Sequence, residues 1–556
     1  MNLRLPPGLL ALLLPAVAFS CGDDTSGTDD STASTSATTD DATTVSDTDP
    51  TTTDTTTTDA STSDASTTAG TTDPVELPMI VNVDITENPN CVLSAYLEVE
   101  TDVPTTIVVE MGATGEEQLA LPFTSPLGTS HEIPILGMRA ETEHAFTITV
   151  TAEGGGEATD DTLRFTTNAL PDDFPPVEIT VQDPGKVAPG VTIFDVARWN
   201  PSSDNEYGLI LGTDARGEII WYWRGDRRAQ DVQPLTNGNL AVVLPPDAMR
   251  EVSMMGDTVR EWDDNSVATD SFHHDVIELP NHNLLFISSE LRNIDGYEMG
   301  MTAYDVVGDV FVEMTPDGEV VDEWSAFDLY DPLVEIGAAF NSGFWNTHYA
   351  DVAPGGTKDW THGNAVVYDE ADDALILSLR NIERITKIKR STLEIVWDFG
   401  PTGGSMALVG GGEWMWHQHA PELQANGNIL LFDNGVGRPL DPNEAPYSRA
   451  VEFAIDAGAS EVTQVWEFIA PHAVILGDAD RLANGNVLVC SGGQVTDPDL
   501  PVTDPTNNKF GDIFEVTGDA DPEVVMQISI KDESAEPIGW TMYRTEKLPS
   551  LYQITE

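Results

Sequence analysis

The sequence predicts an all-β protein, a six-bladed β-propeller preceded by a β-sandwich, and three observations support this. The 556 residues include 45 Gly and 36 Pro, so turns are frequent. The segments between the turns are rich in Val, Ile, Leu and Trp, which favour strands. Two short patterns also recur through the second half of the chain, and such repetition is typical of propellers.

Charge and composition restrict the function. The chain has 25 Lys and Arg against 94 Asp and Glu, a formal net charge of −69. So acidic a protein repels phosphates, and we therefore expect no nucleic-acid partner. The length predicts two or more domains, and 40% hydrophobic residues can fill a sizeable core. Three Cys cannot form a disulfide framework, and none stands in a metal-binding spacing.

The first 20 residues are typical of an export signal, with Arg4 ahead of an apolar stretch from Leu9 to Phe19. This stretch is too short to span a bilayer. Residues 18–21 resemble a bacterial lipobox, in which the Cys is lipidated after cleavage; an ordinary cleavable signal is the alternative. We therefore expect Cys21 to anchor the protein by lipid in the cell envelope, on the periplasmic or the surface face of the outer membrane.

A disordered tether is predicted over residues 21–73. From Gly22 to about Thr72 the chain consists almost wholly of Thr, Ser, Asp, Ala and Gly. Such a segment buries too little apolar surface to offset its conformational entropy. Its length would hold a folded body clear of a membrane surface.

A β-sandwich is predicted over residues 74–170. Short segments with alternating apolar residues are separated there by turn residues at sandwich-like intervals. The stretch from His144 to Thr167 resembles the closing strands of a fibronectin type III domain. No ionisable cluster occurs in this region, so we interpret it as a spacer or docking module.

The propeller is predicted over residues 178–556. A β-rich run recurs six times. It ends near Met526 in one copy and near a Trp in the other five: Trp221, Trp262, Trp324, Trp397 and Trp466. A tight Asn-Gly-Asn or similar turn precedes an apolar strand at Asn237, Asn281, Asn426 and Asn484. Six units too small to bury their own faces indicate a six-bladed β-propeller. The segment from Tyr543 to Leu551 is expected to close the ring against Val191 to Asp195. A barrel or two stacked sandwiches is the alternative.

The repeat also aligns histidines. At the position seven residues before the Asn turn, four blades carry Gln230, His274, His419 and Gly477. In a further blade, whose turn is different, the matching inner strand opens at His362. The innermost strands of a propeller line its channel, so residues at one height face each other across it. We therefore expect three of the chain's 10 His to converge at one end of the channel.

A cation is expected beside these imidazoles. Arg380 ends the strand that runs back antiparallel from His362, so both lie at one rim, and the same logic places Asn434 near His419. In so acidic a chain, an isolated positively charged side chain is expected to bind an anion. Four more basic residues follow and are expected to form a solvated strand face: Arg384, Lys387, Lys389 and Arg390.

Five strings in this region, taken together, resemble the bacterial arylsulfate sulfotransferases, which do not use the nucleotide sulfate donor. They are HHDVIEL (273–279), DWTHGN (359–364), SLRN (378–381), QHAPEL (418–423) and YRTEKLPSLY (543–552). The resemblance implies that a sulfuryl group passes from a phenolic sulfate ester to a phenol by a ping-pong course, without a cofactor. It also implies that His419 is the nucleophile forming a sulfohistidine, and that His274, His362, Asn364 and Arg380 are sulfuryl-binding and acid/base groups.

Two details qualify the resemblance. Cys91 and Cys490 fall in different predicted domains, so the resemblance does not establish the family's disulfide in this chain. Four aromatic residues precede His362 and His419 and are candidates for an apolar mouth, although blade packing is the alternative: Phe344, Trp345, Trp414 and Trp416.

Two other functions stay open from the residues alone. Three His around a channel could bind Zn²⁺ in a hydrolase or lactonase, but Arg380 would be repelled by the cation, which favours a metal-free site. The second is a non-catalytic surface propeller that binds ligands or proteins. The other propeller His are interpreted as structural: His273, His282, His348, His417 and His472. The sequence names neither donor nor acceptor, and it leaves open whether the protein forms a homodimer.

Overall fold

The computed structural model describes residues 77–552 except 124, 199–207, 298–302, 338–341, 442, 503, 505 and 533–538. The predicted export signal, Cys21 and the tether therefore lie outside the described residues. Within the described part the chain is almost entirely β-structure, and the predicted fold class is confirmed. No helix in this part is both long enough and apolar enough to cross a membrane.

Seven strands form the N-terminal β-sandwich. They are β1 (Ile80–Glu87), β2 (Ala95–Ala113), β3 (Leu119–Ala120), β4 (Gly128–Ile135), β5 (Glu143–Ala152), β6 (Glu157–Asp160) and β7 (Arg164–Thr166). The first half of β2 pairs with β1 and β4, and its second half pairs with β3 and β5, so this long strand connects the two layers. Alternate residues of β2, from Leu97 to Val109, are buried in one shared apolar core.

Six antiparallel sheets follow as the blades of a propeller. After β8 (Val177–Val181), the first blade contains β9 (Val191–Arg198), β10 (Gly208–Asp214) and β11 (Ile219–Arg224). The second contains β12 (Asp231–Pro234), β13 (Leu240–Leu244), β14 (Ala248–Val252) and β15 (Thr258–Asp263). The third contains β16 (His273–Glu278), β17 (Leu284–Ile294), β18 (Tyr304–Met314), β19 (Val320–Ser325) and, after helices α1 (Ala326–Leu329) and α2 (Gly343–His348), β20 (Thr357–Asp359).

The remaining blades continue in chain order. The fourth contains β21 (Gly363–Asp369), β22 (Ala374–Leu379), β23 (Arg384–Lys389), β24 (Ile395–Gly400) and β25 (Gly403–Gly404). The fifth contains β26 (Ala407–Leu408), β27 (His419–Leu423), β28 (Ile429–Asp433), β29 (Ser448–Asp456) and β30 (Glu461–Ala470). The sixth contains β31 (Ala473–Ile475), β32 (Asp478–Arg481), β33 (Val487–Val495), β34 (Lys509–Val516) and β35 (Val524–Lys531). β36 (Trp540–Thr541) and β37 (Thr545–Leu548) then return to the first blade.

The ring is closed by both ends of this region. β37 pairs with β9 and supplies the innermost strand of the first blade, so the predicted closing strand is confirmed. β8 pairs with β35 and supplies the outermost strand of the sixth blade, which the sequence pattern did not indicate. The ring therefore cannot open at its seam without losing a hydrogen-bonded ladder.

The recurring Trp residues pack between blades and join them. All five are at most 9% exposed. Four of them donate the indole N–H to a backbone carbonyl of the next blade: Trp221 to Met254, Trp262 to Pro316, Trp324 to Arg390 and Trp466 to Asp519. Each pair therefore combines apolar burial with a satisfied polar group.

Buried carboxylates join the innermost strands in the same manner. Each accepts a backbone N–H of the next strand around the channel: Asp231 from Val276 at 3.0 Å, Asp275 from Val366 at 2.7 Å and Asp478 from Thr545 at 2.9 Å. These bonds fix the relative height of neighbouring blades, and that height decides which side chains meet across the channel.

The predicted solvated face is wrong for Arg384 and Lys387, which are buried, and holds for Lys389. Arg384 is fully buried and donates to Asp398 at 2.6 Å. Lys387 is also buried and donates to Asp369 at 2.7 Å, whereas Lys389 is exposed. Since β23 is an interior strand with a partner on each side, its inward charges must be paired.

The sandwich packs against the first and second blades through a continuous apolar core. Asn88 donates to the carbonyl of Met255 at 2.8 Å, and the Leu136 N–H donates to the hydroxyl of Tyr552 at 2.8 Å. Cys91 and Cys490 both lie in this core as free, buried thiols. The contact between the domains is thus formed by packing and hydrogen bonds, and these two Cys do not cross-link it.

Candidate active site

Three innermost strands begin at a histidine or directly after one, and each begins with an irregular register. Shifts occur between His273 and Val276, between Gly363 and Ala365, and between His419 and Glu422. The backbone is left-handed at His274 (φ 63°), His362 (φ 48°) and Ala420 (φ 46°). Bulges of this kind redirect side chains, and left-handed non-glycine residues are frequent at functional sites.

The structure brings His274, His362 and His419 together at one rim of the channel. The ring centroids of His274 and His362 are 4.9 Å apart in an edge-on contact. The ring of Tyr543 connects this pair to the third imidazole, at 5.7 Å from His274 and 6.0 Å from His419. All three His are at most 4% exposed. Gln230, aligned with them in the repeat, accepts the backbone N–H of His274 at 3.0 Å.

Asn434 determines which nitrogen of His419 carries the proton. Its amide nitrogen donates to the carbonyls of Ala473 at 2.9 Å and Leu476 at 2.8 Å, so its oxygen faces the imidazole. That oxygen lies 2.7 Å from Nδ1 of His419. An amide oxygen only accepts, and therefore Nδ1 of His419 is protonated and Nε2 of the neutral ring has a lone pair.

His419 stays neutral at ordinary pH. Burial lowers its pKa well below the usual value for histidine, and the guanidinium of Arg380 lowers it further. A neutral imidazole with a bare Nε2, placed beside a cation, is arranged as a nucleophile toward an anionic group.

His362 has a different partner. Its Nδ1 lies 2.7 Å from Oδ2 of Asp359, which is buried at the end of β20. A carboxylate at this position orients the ring and stabilises the imidazolium form. His362 is therefore suited to donate a proton, unlike His419. Asp359 had not been singled out, although its place three residues before His362 in DWTHGN was a signal.

Arg380 and Asn364 complete the rim. Arg380 begins a short 3₁₀ turn, Arg380–Ile382, and is fully buried, with a bond from its side chain to Oδ1 of Asn381 at 3.1 Å. Its backbone N–H donates to the carbonyl of His362 at 3.3 Å, which holds both residues at one height. Asn364 is also fully buried and donates one amide hydrogen to the carbonyl of Gln418, next to His419, at 2.8 Å.

Two residues of the returning strand were missed as site residues. The hydroxyl of Tyr543 donates to the carbonyl of Asn364 at 2.9 Å, and Arg544 donates to the same oxygen at 3.1 Å. Asp195 accepts the backbone N–H of both, at 2.7 and 2.9 Å. The first blade therefore supports Asn364 from across the channel. The only signal was the YR pair that opens YRTEKLPSLY.

The aromatic candidates separate into two groups. Trp345, on α2, packs edge-on against His273 with ring centroids 5.1 Å apart, and Phe344 packs on Trp345. Trp414 instead stacks on Phe399 in the core between the fourth and fifth blades, so packing is its role. The structural interpretation of His273 was incomplete, because this residue also contacts His274.

The geometry of the rim does not match a metal centre. Across the described residues, no three His, Cys, Asp or Glu side chains are grouped so that they could hold a metal ion together. Arg380 is also close enough to lower the pKa of His419, and its positive charge would repel a metal cation.

Fold and rim together define a β-propeller with three buried imidazoles and a buried guanidinium at one end of its channel. The family model described as Arylsulfotransferase (ASST) matches residues 158–543, and the model described as Arylsulfotransferase Ig-like domain matches residues 83–168. The chain therefore belongs to the arylsulfotransferase family, which confirms the resemblance seen in its motifs.

Two curated relatives are both named Arylsulfate sulfotransferase AssT. One, from Escherichia coli O6:H1, is 27% identical over 311 residues, which are 45% of this chain and 50% of that protein. The other, from Lelliottia amnigena, is 22% identical over 476 residues, which are 68% of this chain and 78% of that protein. The chain thus matches half the length of the first. A solved structure of a Bacteroides caccae protein of unknown function aligns with a TM-score of 0.36 and 11% identity, over 64% of this chain and 100% of that one.

Proposed function

We propose that this protein transfers a sulfuryl group from a phenolic sulfate ester to a phenol, by a ping-pong course through a sulfohistidine at His419. The observation that carries the proposal is a neutral His419 whose Nδ1 is bound to Asn434, which leaves a lone pair on Nε2, and whose pKa is lowered by the charge of Arg380. Family membership and the name of the two relatives support the substrate class.

In the first step the lone pair on Nε2 of His419 attacks sulfur. An N–S bond forms, the S–O bond to the phenol breaks, and its electron pair leaves on the phenolate. The planar fork of Arg380 binds two sulfuryl oxygens, and the second amide hydrogen of Asn364 can bind another. Such fixed donors stabilise the charge that accumulates as the bonds change.

The leaving phenolate takes a proton from His362, whose imidazolium is stabilised by Asp359. In the second step the acceptor phenol loses its proton to an imidazole, its oxygen attacks sulfur, and the N–S bond breaks. His419 recovers its lone pair, and the sulfated acceptor leaves. Phe344, which is half-buried and packs on the buried Trp345, is the candidate aromatic surface for the ring of either phenol.

Transfer is tested by incubating the full chain with 4-nitrophenyl sulfate, with and without a phenol acceptor, and recording nitrophenolate. We expect a burst with donor alone, followed by turnover that depends on the acceptor. Equal release without an acceptor would indicate hydrolysis instead. Absence of release across varied aryl donors would favour a ligand-binding propeller.

The intermediate is tested by mass spectrometry after exposure to donor alone, at neutral or alkaline pH because N-sulfo groups are labile in acid. We expect about 80 Da, one SO₃ unit, on the peptide that contains His419. His282→Asn is the matched control, because His282 is an exposed propeller histidine with 67% of its side chain accessible. The added mass on the peptide of His274 or His362 would overturn the choice of nucleophile.

A further inference from the structure

His273 is fixed on both of its nitrogens. It lies directly before His274 and is 1% exposed. Its Nε2 is 3.0 Å from the backbone carbonyl oxygen of Ser288, and Oδ1 of Asp309 lies 3.6 Å from the same nitrogen. Its Nδ1 is 2.7 Å from Nδ1 of His274, and Trp345 packs against the ring.

These contacts determine the protonation of both rings. A carbonyl oxygen only accepts, so Nε2 of His273 must carry a hydrogen. Burial lowers the pKa of His273 to about 3, so the ring is neutral and its Nδ1 can only accept. The hydrogen between the two Nδ1 atoms therefore belongs to His274. Burial also lowers the pKa of His274 well below its usual value, so this ring is neutral too and its Nε2 is bare.

We propose that His273 is a positioning residue that holds His274 in the Nδ1–H tautomer, so that the bare Nε2 of His274 removes the proton of the acceptor phenol. The identity of the proton donor rests on the proposed function, whereas the tautomer does not. The other titratable or charged groups that face His274 are His362, His419, Tyr543 and Arg228.

This assignment separates the two steps of transfer. His362, held by a carboxylate, protonates the phenolate that leaves, and His274, held by a neutral ring, deprotonates the phenol that enters. After one cycle His274 has gained the proton that His362 lost. The two rings are in contact at 4.9 Å, so passage of one proton from His274 to His362 restores the starting state.

Two amide variants of His273 separate its positioning role from its packing role. In His273→Asn the side-chain oxygen can replace Nδ1 as the acceptor beside His274. In His273→Gln the amide can replace Nε2 at Ser288 but leaves no acceptor beside His274. We expect His273→Gln to lower acceptor-dependent kcat at least about tenfold while the donor-only burst persists, and His273→Asn to retain kcat within about threefold.

The tautomer is measured directly by NMR of the full chain labelled with ¹⁵N-histidine, with the His274 signals assigned by loss in His274→Gln. We expect a protonated Nδ1 and a bare Nε2 at His274 in the parent and in His273→Asn, and a mixture of tautomers in His273→Gln. A protonated Nε2 at His274 in the parent would overturn the proposal, as would equal kcat in the two variants. A parent without a burst, but with the expected tautomer, would refute the sulfohistidine route and leave the positioning role intact.

Discussion

The two domains differ in what they bury. In the described part of the sandwich no Asp, Glu, Lys or Arg is buried, and its core is formed by residues such as Leu97 and Phe146. The propeller buries acids on successive innermost strands, including Asp231, Asp275 and Asp478. A β-fold therefore does not need buried charge to be stable. Since buried charge is costly unless it is paired, these acids are compensated by backbone N–H groups of the neighbouring innermost strands, which they join.

The largest contrast is expected between histidines of the two domains. His419→Asn should abolish the burst and lower turnover by at least about 10³-fold, because the attacking nitrogen is lost. His131→Asn in the sandwich removes a histidine that is 5% exposed and bound to Ser125, and should leave turnover per folded molecule unchanged. Stopped-flow release of nitrophenolate measures both. A burst from the His419→Asn variant would contradict the assigned role.

The same contrast applies to arginines. Arg380→Lys replaces a planar fork by a single point charge, and loss of roughly 3 kcal/mol of charge-assisted binding slows transfer about a hundredfold. Arg139→Lys is the control, since Arg139 forms a 2.7 Å ion pair with Glu116 in the sandwich. Steady-state kcat/KM compares the two variants. Near-normal rates for Arg380→Lys would mean that another residue binds the sulfuryl oxygens.

Buried acids should make the propeller sensitive to pH. Desolvation raises the pKa of the half-buried Glu546 from 4.5 to about 8, with a further contribution from Asp478, so the folded state retains a proton that the unfolded state releases. The resulting stabilisation is fully present below pH 4.5 and is lost as pH rises through 8. Between these two pH values the free energy of unfolding falls by at most about 1.4 kcal/mol for each pH unit. Glu546→Gln should flatten this dependence.

Urea unfolding followed by tryptophan fluorescence measures this effect selectively, because all 12 Trp lie beyond residue 178, outside the predicted sandwich. Glu157→Gln, on a sandwich strand with an exposed side chain, is the matched control and should retain the pH slope of the parent. An unchanged slope in Glu546→Gln would show that the proton resides elsewhere in the acidic cluster.

The smallest effect on catalysis is expected from Cys21→Ser. We propose that a lipid on Cys21 holds the protein in the cell envelope through the tether, so the variant should appear in the soluble fraction with unchanged turnover. Cell fractionation followed by the transfer assay measures both properties. Membrane association as firm as that of the parent would refute the lipid anchor.

The repeat explains how much of the site could be predicted. Because the Asn turn lies at a constant distance along each innermost strand, counting back seven residues reached His274 and His419 in two blades. The closing strand and the inter-blade Trp residues follow the same periodicity. Both patterns are local in sequence, and the ladder geometry repeats them in space.

The features that were missed depend on contacts outside the repeat. Asp359 reaches His362 from β20, an extra strand that pairs in parallel with β18. His273 faces His274 only because the register shifts there, and a shift of this kind reverses the faces that strand alternation would give. Arg384 and Lys387 were misjudged because sequence alone does not show which strand lies inside a blade.

The position of the returning strand in the chain determines when the rim can be completed during synthesis. Tyr543 and Arg544 leave the ribosome after every other residue of the site, and they bond to Asp195, which lies 348 positions before Tyr543. Pairing over such a separation is slow, since the loop-closure entropy is lost before any contact forms. A nascent chain that has completed five blades thus carries all three imidazoles but lacks the strand that supports Asn364. Catalytic competence should consequently appear late, after synthesis of the propeller is complete.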